Sequence, residues 1–182
     1  MSQPSEHPFD LLASIDQRSR ERANSPEHEQ HEELVGRLAL RFHDQRIMVS
    51  MEDISQISPS PMITRVPGVK PWLMGIANLR GTVLSVINLG GFLLGKTSSV
   101  NKSSRIVTVN SGDWFFGLLI DEVIGMRHFA EHSRVPGATM TEVVTPPLQP
   151  YVTDVYNSEE HNWMVFSIDA LLNNAYFLDA AA

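Results

Sequence analysis

From residue 34 onward, apolar and polar residues alternate with a period of two. Leu38, Leu40 and Phe42 alternate with Ala39 and Arg41, the stretch "HDQR" reverses the chain, and Ile47, Met48 and Val49 follow. Successive strand side chains point to opposite faces, so the pattern predicts an antiparallel hairpin. Before residue 34 the period differs. Phe9, Leu12 and Ile15 fall at helical spacing with Pro8 near the first turn, which predicts a short amphipathic helix over residues 8–22. Residues 23–33, "ANSPEHEQHEE", are polar and acidic, with too little to bury to offset the entropy of ordering them, and read as a flexible linker.

The hairpin pattern recurs 69 residues further on. Leu38, Leu40, Asp44, Ile47 and Val49 fall on Val107, Val109, Asp113, Phe116 and Leu118, and "MEDISQI" falls on "IDEVIGM". The second half of each copy also ends alike. "GTVLSVINLGGFLL" (residues 81–94) and "NWMVFSIDALL" (residues 162–172) read as strands that close on Asn88 or Asp169, each an expected N-cap of a short helix. The chain therefore reads as a duplicated β unit.

Composition narrows the class. The chain has 182 residues, 42% of them apolar, enough for one medium domain or two small ones. Its net charge of −7 is uneven: residues 1–33 carry eight acids against three arginines, and residues 34–182 thirteen acids against eleven bases. No basic stripe with interleaved aromatics is present to neutralise phosphates, so nucleic acid is set aside as a partner. Zero cysteines exclude disulfides and thiolate metal sites. No early apolar run resembles a signal peptide or a membrane span, which points to the cytoplasm without membrane insertion.

One motif argues for an enzyme. "GGFLLGKT" (residues 90–97) fits the phosphate-loop pattern G-x-x-x-x-G-K-[ST], and "FFGLLID" ending at Asp121 resembles a metal-positioning strand. The repeat argues against it. A phosphate loop needs open backbone and a long helix after its lysine, whereas Phe92, Leu93 and Leu94 would fill the cradle, Gly95 stands where a helix C′ glycine belongs, and "SSVNKSSR" follows. A crossover helix between the two motifs is also missing, because residues 98–113 read as loop, strand and turn. His128 and His132 have i, i+4 spacing but no third ligand nearby, His28 and His31 lack that spacing, and no serine sits in a G-x-S-x-G elbow. The expectation is a protein that is not an enzyme, with no cofactor, no metal and no catalytic residue.

The most specific stretch is "TRVPGVKPWLMGIANLRGTVLSVINL" (residues 64–89), where Arg80-Gly81 reads as a tight reversal between two apolar runs. It resembles the signature of the CheW-like adaptors of bacterial chemosensory arrays, approximately "GxxNLRGxxLPVxDL". "FGLLIDEVIGM" is similar to that family's "GLLVDEVxxV". "RVPGVKPW", "GIANLRG", "GGFLLG" and the N-terminal "PFDLLASIDQR" look like its PilI-type branch, which serves type IV pilus twitching motility. The resemblance spans roughly residues 34–172. It implies a mainly β fold of two SH3-like five-stranded barrels sharing a hydrophobic seam, with the N-terminal extension at 1–33, the CheW-like domain at 34–175 and a tail at 176–182.

The function implied is non-enzymatic coupling of a methyl-accepting chemoreceptor's cytoplasmic tip to the regulatory domain of a histidine kinase, at membrane-associated arrays. A flagellar chemotaxis adaptor is the alternative, and a phosphate-loop enzyme the remote one. By motif, Arg80 is the first candidate for receptor binding, with Ile54 and Val123 as paired groove positions from the two copies. Kinase contacts are expected on the first barrel. Three positions depart from the pattern: Ser85 replaces a usual proline, Asn88 an aspartate and Gln56 a glutamate. The extension is expected to dock its Phe9, Leu12 and Ile15 face on the barrels or on a partner.

Overall fold

The computed structural model describes residues 35–97, 99–158 and 161–181. The helix expected over 8–22 and the linker over 23–33 lie outside the described residues. The described chain runs β1 (Val35–Phe42), β2 (Gln45–Val49), β3 (Ile54–Pro59), β4 (Ile63–Thr64), β5 (Leu73–Leu79), β6 (Thr82–Asn88), α1 (Leu89–Leu94), β7 (Arg105–Ser111), β8 (Trp114–Ile120), β9 (Glu122–Phe129), α2 (Gly137–Val143), β10 (Val152–Asn157), β11 (Asn162–Phe166), α3 (Ile168–Leu172) and α4 (Ala175–Leu178). The mainly β class is as expected.

The strands form a five-stranded sheet, β10-β11-β2-β1-β9, and a six-stranded sheet, β3-β7-β8-β6-β5-β4. Its sixth strand, β4, is two residues long. Gly75, at φ 138°, lets β4 approach, since a Cβ there would collide with the Thr64 carbonyl.

The duplication is exact in register, but the two copies are interlaced. β3 of the first copy pairs with β7 of the second, and β9 of the second pairs with β1 of the first. Leu38 opposes Met126 as Val107 opposes Ile57, and Leu40 opposes Val123 as Val109 opposes Ile54. Each pair is related by the 69-residue shift, and so is the bulge that skips Ser55 in one sheet and Ile124 in the other. The parallel contacts continue the symmetry, because Ser85 faces Phe116 where Met164 faces Ile47. Residues 85 and 164 are 79 apart, so the second copy has ten more residues between β9 and β10, the segment that holds α2.

Packing follows the alternation. Leu38, Leu40 and Ile47 of one sheet and Val107, Val109 and Leu118 of the other enter one shared cluster, the hydrophobic seam. The opposite faces close two smaller clusters, one around Ala39, Met48, Trp163 and Val165 and the other around Ala77, Leu84, Val86, Ile106 and Leu119. Apolar residues on both faces of a strand are thus used twice.

The helix predicted inside the phosphate-loop pattern is α1. Asn88 Oδ1 accepts the Gly91 N–H at 2.7 Å, and Gly95 ends the helix in the left-handed conformation at φ 65°. Phe92 fills the would-be cradle, edge-on to Trp72 with centroids 5.4 Å apart, and His43 Nε2 lies 2.8 Å from the Lys96 carbonyl. The strand after the motif, β7, pairs antiparallel with β8.

One expectation is corrected. The N-cap of α3 is Ser167, whose Oγ accepts the Ala170 N–H at 3.0 Å, while Asp169 sits in the first turn. Ser167 is also the residue 79 positions after Asn88, so the true alignment of this half differs by two from the one that selected Asp169. Over the stretch expected as a tail, α4 buries Phe177, and the Lys70 N–H donates to the Ala180 carbonyl at 3.0 Å.

Candidate functional site

Arg80 occupies the tip of the β5–β6 hairpin. Leu79 opposes Thr82, leaving Arg80 and Gly81 as a two-residue loop with φ of 55° and 91°. Positive φ at both positions fits the twist of an antiparallel hairpin, at a steric cost for a residue with a Cβ. Asn78 Oδ1 secures the turn by accepting the Gly81 N–H at 2.8 Å. The Arg80 side chain is exposed and makes no ion pair among the described residues.

Ile54 opens β3 and Val123 is the second residue of β9, each on an edge strand and directly after an acid, Asp53 or Glu122. Both are half-buried and pack against the seam. They are equivalent positions of the two copies, at the margin of the core rather than at its centre. Burial pushes the Asp53 carboxyl above its ordinary value, and the nearby Asp169 and Glu52 charges push it further, while Arg37 draws it down.

The structure does not group all three candidates. Across the six-stranded sheet, Ile54, Val109, Phe116, Ser85 and Ile76 stand in one register row. Three strands therefore separate β3, which carries Ile54, from β5, whose hairpin carries Arg80. Beside Arg80 lie residues that sequence reasoning missed: Ile76, Val83 and Trp114 are 40%, 61% and 45% exposed. By alternation they share the face of Ile87 and Phe116, which enter the seam. Their signal was hidden because period two marks an apolar face without saying whether anything covers it.

The second copy supplies the comparison. The counterparts of Ile76 and Val83 are Val155 and Asn162, 79 residues later, and that of Trp114 is Gln45, 69 residues earlier. Val155 is buried, its carbonyl accepts the Val135 N–H at 2.7 Å, and Val135, Met140 and Val143 of the longer β9–β10 segment pack on the seam. Where the second copy covers or polarises this face, the first leaves it apolar and open beside an arginine.

Among the described residues no group of three or more His, Cys, Asp or Glu is placed to hold a metal ion. No described helix is long and apolar enough to cross a membrane.

Comparison with known proteins finds relatives of this chain. Residues 38–176 match the family model described as the CheW-like domain. The chain is 36% identical over 178 residues to Protein PilI of Pseudomonas aeruginosa, covering 96% of each chain. It is 28% identical over 108 residues to Protein FrzA of Myxococcus xanthus, covering 59% of this chain and 62% of FrzA. It is 27% identical over 95 residues to the Chemotaxis protein CheW of Thermotoga maritima, covering 52% and 62%. The crystal structure of the scaffolding protein TtCheW from Thermoanaerobacter tengcongensis superposes with a TM-score of 0.62 at 21% identity, covering 73% of this chain and 88% of that one, and so has the same fold.

Proposed function

The chain belongs to the CheW-like family, and from that premise we propose that it is a non-enzymatic adaptor of a chemosensory array. It couples the cytoplasmic tip of a methyl-accepting chemoreceptor to the regulatory domain of a histidine kinase and acts in type IV pilus twitching motility. The observation that carries the receptor contact is the open strip of Ile76, Val83 and Trp114 with Arg80 at its end. An amphipathic helix lays apolar side chains in such a groove, and an exposed arginine at the rim pairs with an acid on the helix. Ile54 and Val123, on edge strands apart from that strip, offer separate small, exchangeable contacts that suit an array. The pilus assignment is supported by the 36% identity to Protein PilI over 96% of the chain, against partial matches to CheW proteins. The adaptor works in the cytoplasm, recruited to arrays at the membrane.

Calorimetric titration of the full chain with the regulatory domain of the pilus-system kinase, and with a receptor-tip coiled coil, tests this. Saturable binding near micromolar, about 8 kcal/mol, is expected for the kinase. For the receptor tip, Arg80→Ala and Val83→Ser should each weaken binding. Binding only to a flagellar kinase would move the protein to that pathway, and silence with both kinases would overturn the adaptor reading.

A further inference from the structure

Two pairs of arginines oppose each other on one face of the five-stranded sheet, Arg37 with Arg127 and Arg41 with Arg46. Ala39, between Arg37 and Arg41 on the same face of β1, belongs to the small cluster that includes Met48, Phe129 and Trp163, so both pairs border that cluster. Like charges directly opposite each other destabilise a sheet. Arg41 is relieved by Glu122, with Nε and Oε2 2.9 Å apart. Arg37, Arg46 and Arg127 make no ion pair among the described residues. Arg37 Nε is buried without a hydrogen-bond partner, and the Arg127 guanidinium lies 5.8 Å from the Trp163 ring centroid.

The fold itself does not call for these charges. In the other sheet, the same register positions are Ile106 opposite Ser58 and Asn110 opposite Phe115. A chain of net charge −7 has thus concentrated arginine where its own duplicate carries none. Arg41, Arg46 and Arg127 line an open cleft of about 750 Å³ along β9, in which Glu122 is the one acid among the described lining residues.

The spacing selects the ligand. Arg37 and Arg41 are four residues apart, about 13 Å along an extended strand, too far for one phosphate to bridge. The same distance separates side chains i and i+4 of a second extended chain. β9 is an edge of its sheet, so its outer backbone faces any chain laid along it.

We propose that the cleft along β9 binds an extended acidic segment of a protein partner, whose carboxylates at i and i+4 meet Arg127, in the register row of Arg37, and the Arg41–Arg46 pair. Bidentate carboxylate contacts relieve both like-charge pairs at once. This surface is separate from the Arg80 strip, and the inference does not rest on the adaptor reading.

The test is a fluorescence-polarisation titration of the full chain with a fluorescein-labelled oligoglutamate peptide at low and at physiological salt. Saturable, salt-weakened binding is expected, reduced about tenfold in Arg127→Gln and in Arg46→Gln, with Arg80→Gln unchanged. Melting curves of the two cleft variants separate lost binding from lost fold, and Arg127→Lys, which keeps the charge without the fork, should recover only part of the affinity. Absence of binding, or binding indifferent to both arginines, overturns the proposal. So does inorganic phosphate competing at equal charge, which would mark a small-anion site.

Discussion

The ring of Phe177 stacks on that of Trp72, with centroids 5.7 Å apart and planes 11° from parallel. Phe92 meets both rings edge-on, so the last helix of the chain closes the same aromatic group that α1 supports. The Lys70 Nζ, 4.1 Å from the Tyr176 centroid and 3.1 Å from Asp179 Oδ2, holds this end from outside. Phe177→Ala should therefore cost about 3–4 kcal/mol, the range for a buried aromatic cut to alanine. Urea unfolding followed by tryptophan fluorescence measures it, and a loss under about 1 kcal/mol would show that the C-terminal helix is dispensable.

The phosphate-loop pattern predicts opposite effects for two of its residues. Phe92→Ala removes core contacts and should cost about 2–3 kcal/mol, whereas Lys96→Ala, an exposed change, should stay within about 0.5 kcal/mol. Titration with ATP and Mg²⁺ should detect no binding in either protein or in the parent. Nucleotide binding that is lost in Lys96→Ala would reinstate the enzyme reading.

Arg80 stands at positive φ in a turn open to solvent, so its side chain contributes little to the fold. Arg80→Ala should leave stability within about 0.5 kcal/mol, and Arg80→Gly should gain some tenths, since glycine takes that conformation without strain. Both should weaken receptor-tip binding alike. A large drop in melting temperature for Arg80→Ala would make the residue structural and remove it from the site.

The cap of α3 separates two neighbouring residues. Ser167→Ala should cost about 1 kcal/mol, because the Ala170 amide loses its acceptor. Asp169→Asn should cost less, since Asp169 only favours the helix dipole. Thermal melts of the two variants at one pH decide between the caps.

Asp53 carries a pH signature. Its carboxyl is raised above the ordinary 3.8, so the folded chain holds this proton more tightly than the unfolded one. The stability it contributes is fully present below pH 3.8 and is lost as the pH rises through the folded value. Asp53→Asn should therefore raise the melting temperature at neutral pH, with the gain shrinking as the pH falls below that window. A variant less stable at neutral pH would mean that the carboxylate makes a favourable contact in the fold.

Much of this protein was legible in its residues. The 69-residue repeat, the hairpin turn at Arg80-Gly81, the cap at Asn88 and the stop at Gly95 are all local: each depends on side-chain alternation or on the backbone conformations that a few neighbouring residues permit. The family signature, carried by runs such as "GIANLRG", needed no coordinates either. Local chemistry also placed Ile54 and Val123 at matching positions, because the repeat carries its register along with it.

What the tertiary structure alone decided is which strand lies beside which, and what covers each face. Period two assigns residues to faces but is silent on neighbours, so the exchange of β3 and β9 between the copies had no sequence signal. Nor did the like-charge pairing of Arg37 with Arg127, which lie on strands 90 residues apart in the chain. Ile76 and Val83 alternate as regularly as any core residue. Ile76 is exposed because the longer segment that packs by its counterpart Val155 in the second copy has no equivalent in the first, whereas Val83 is an apolar residue at a position that is exposed in both copies, its counterpart being Asn162. Burial depends on what the rest of the chain brings to a surface, and no window of sequence around that surface contains it.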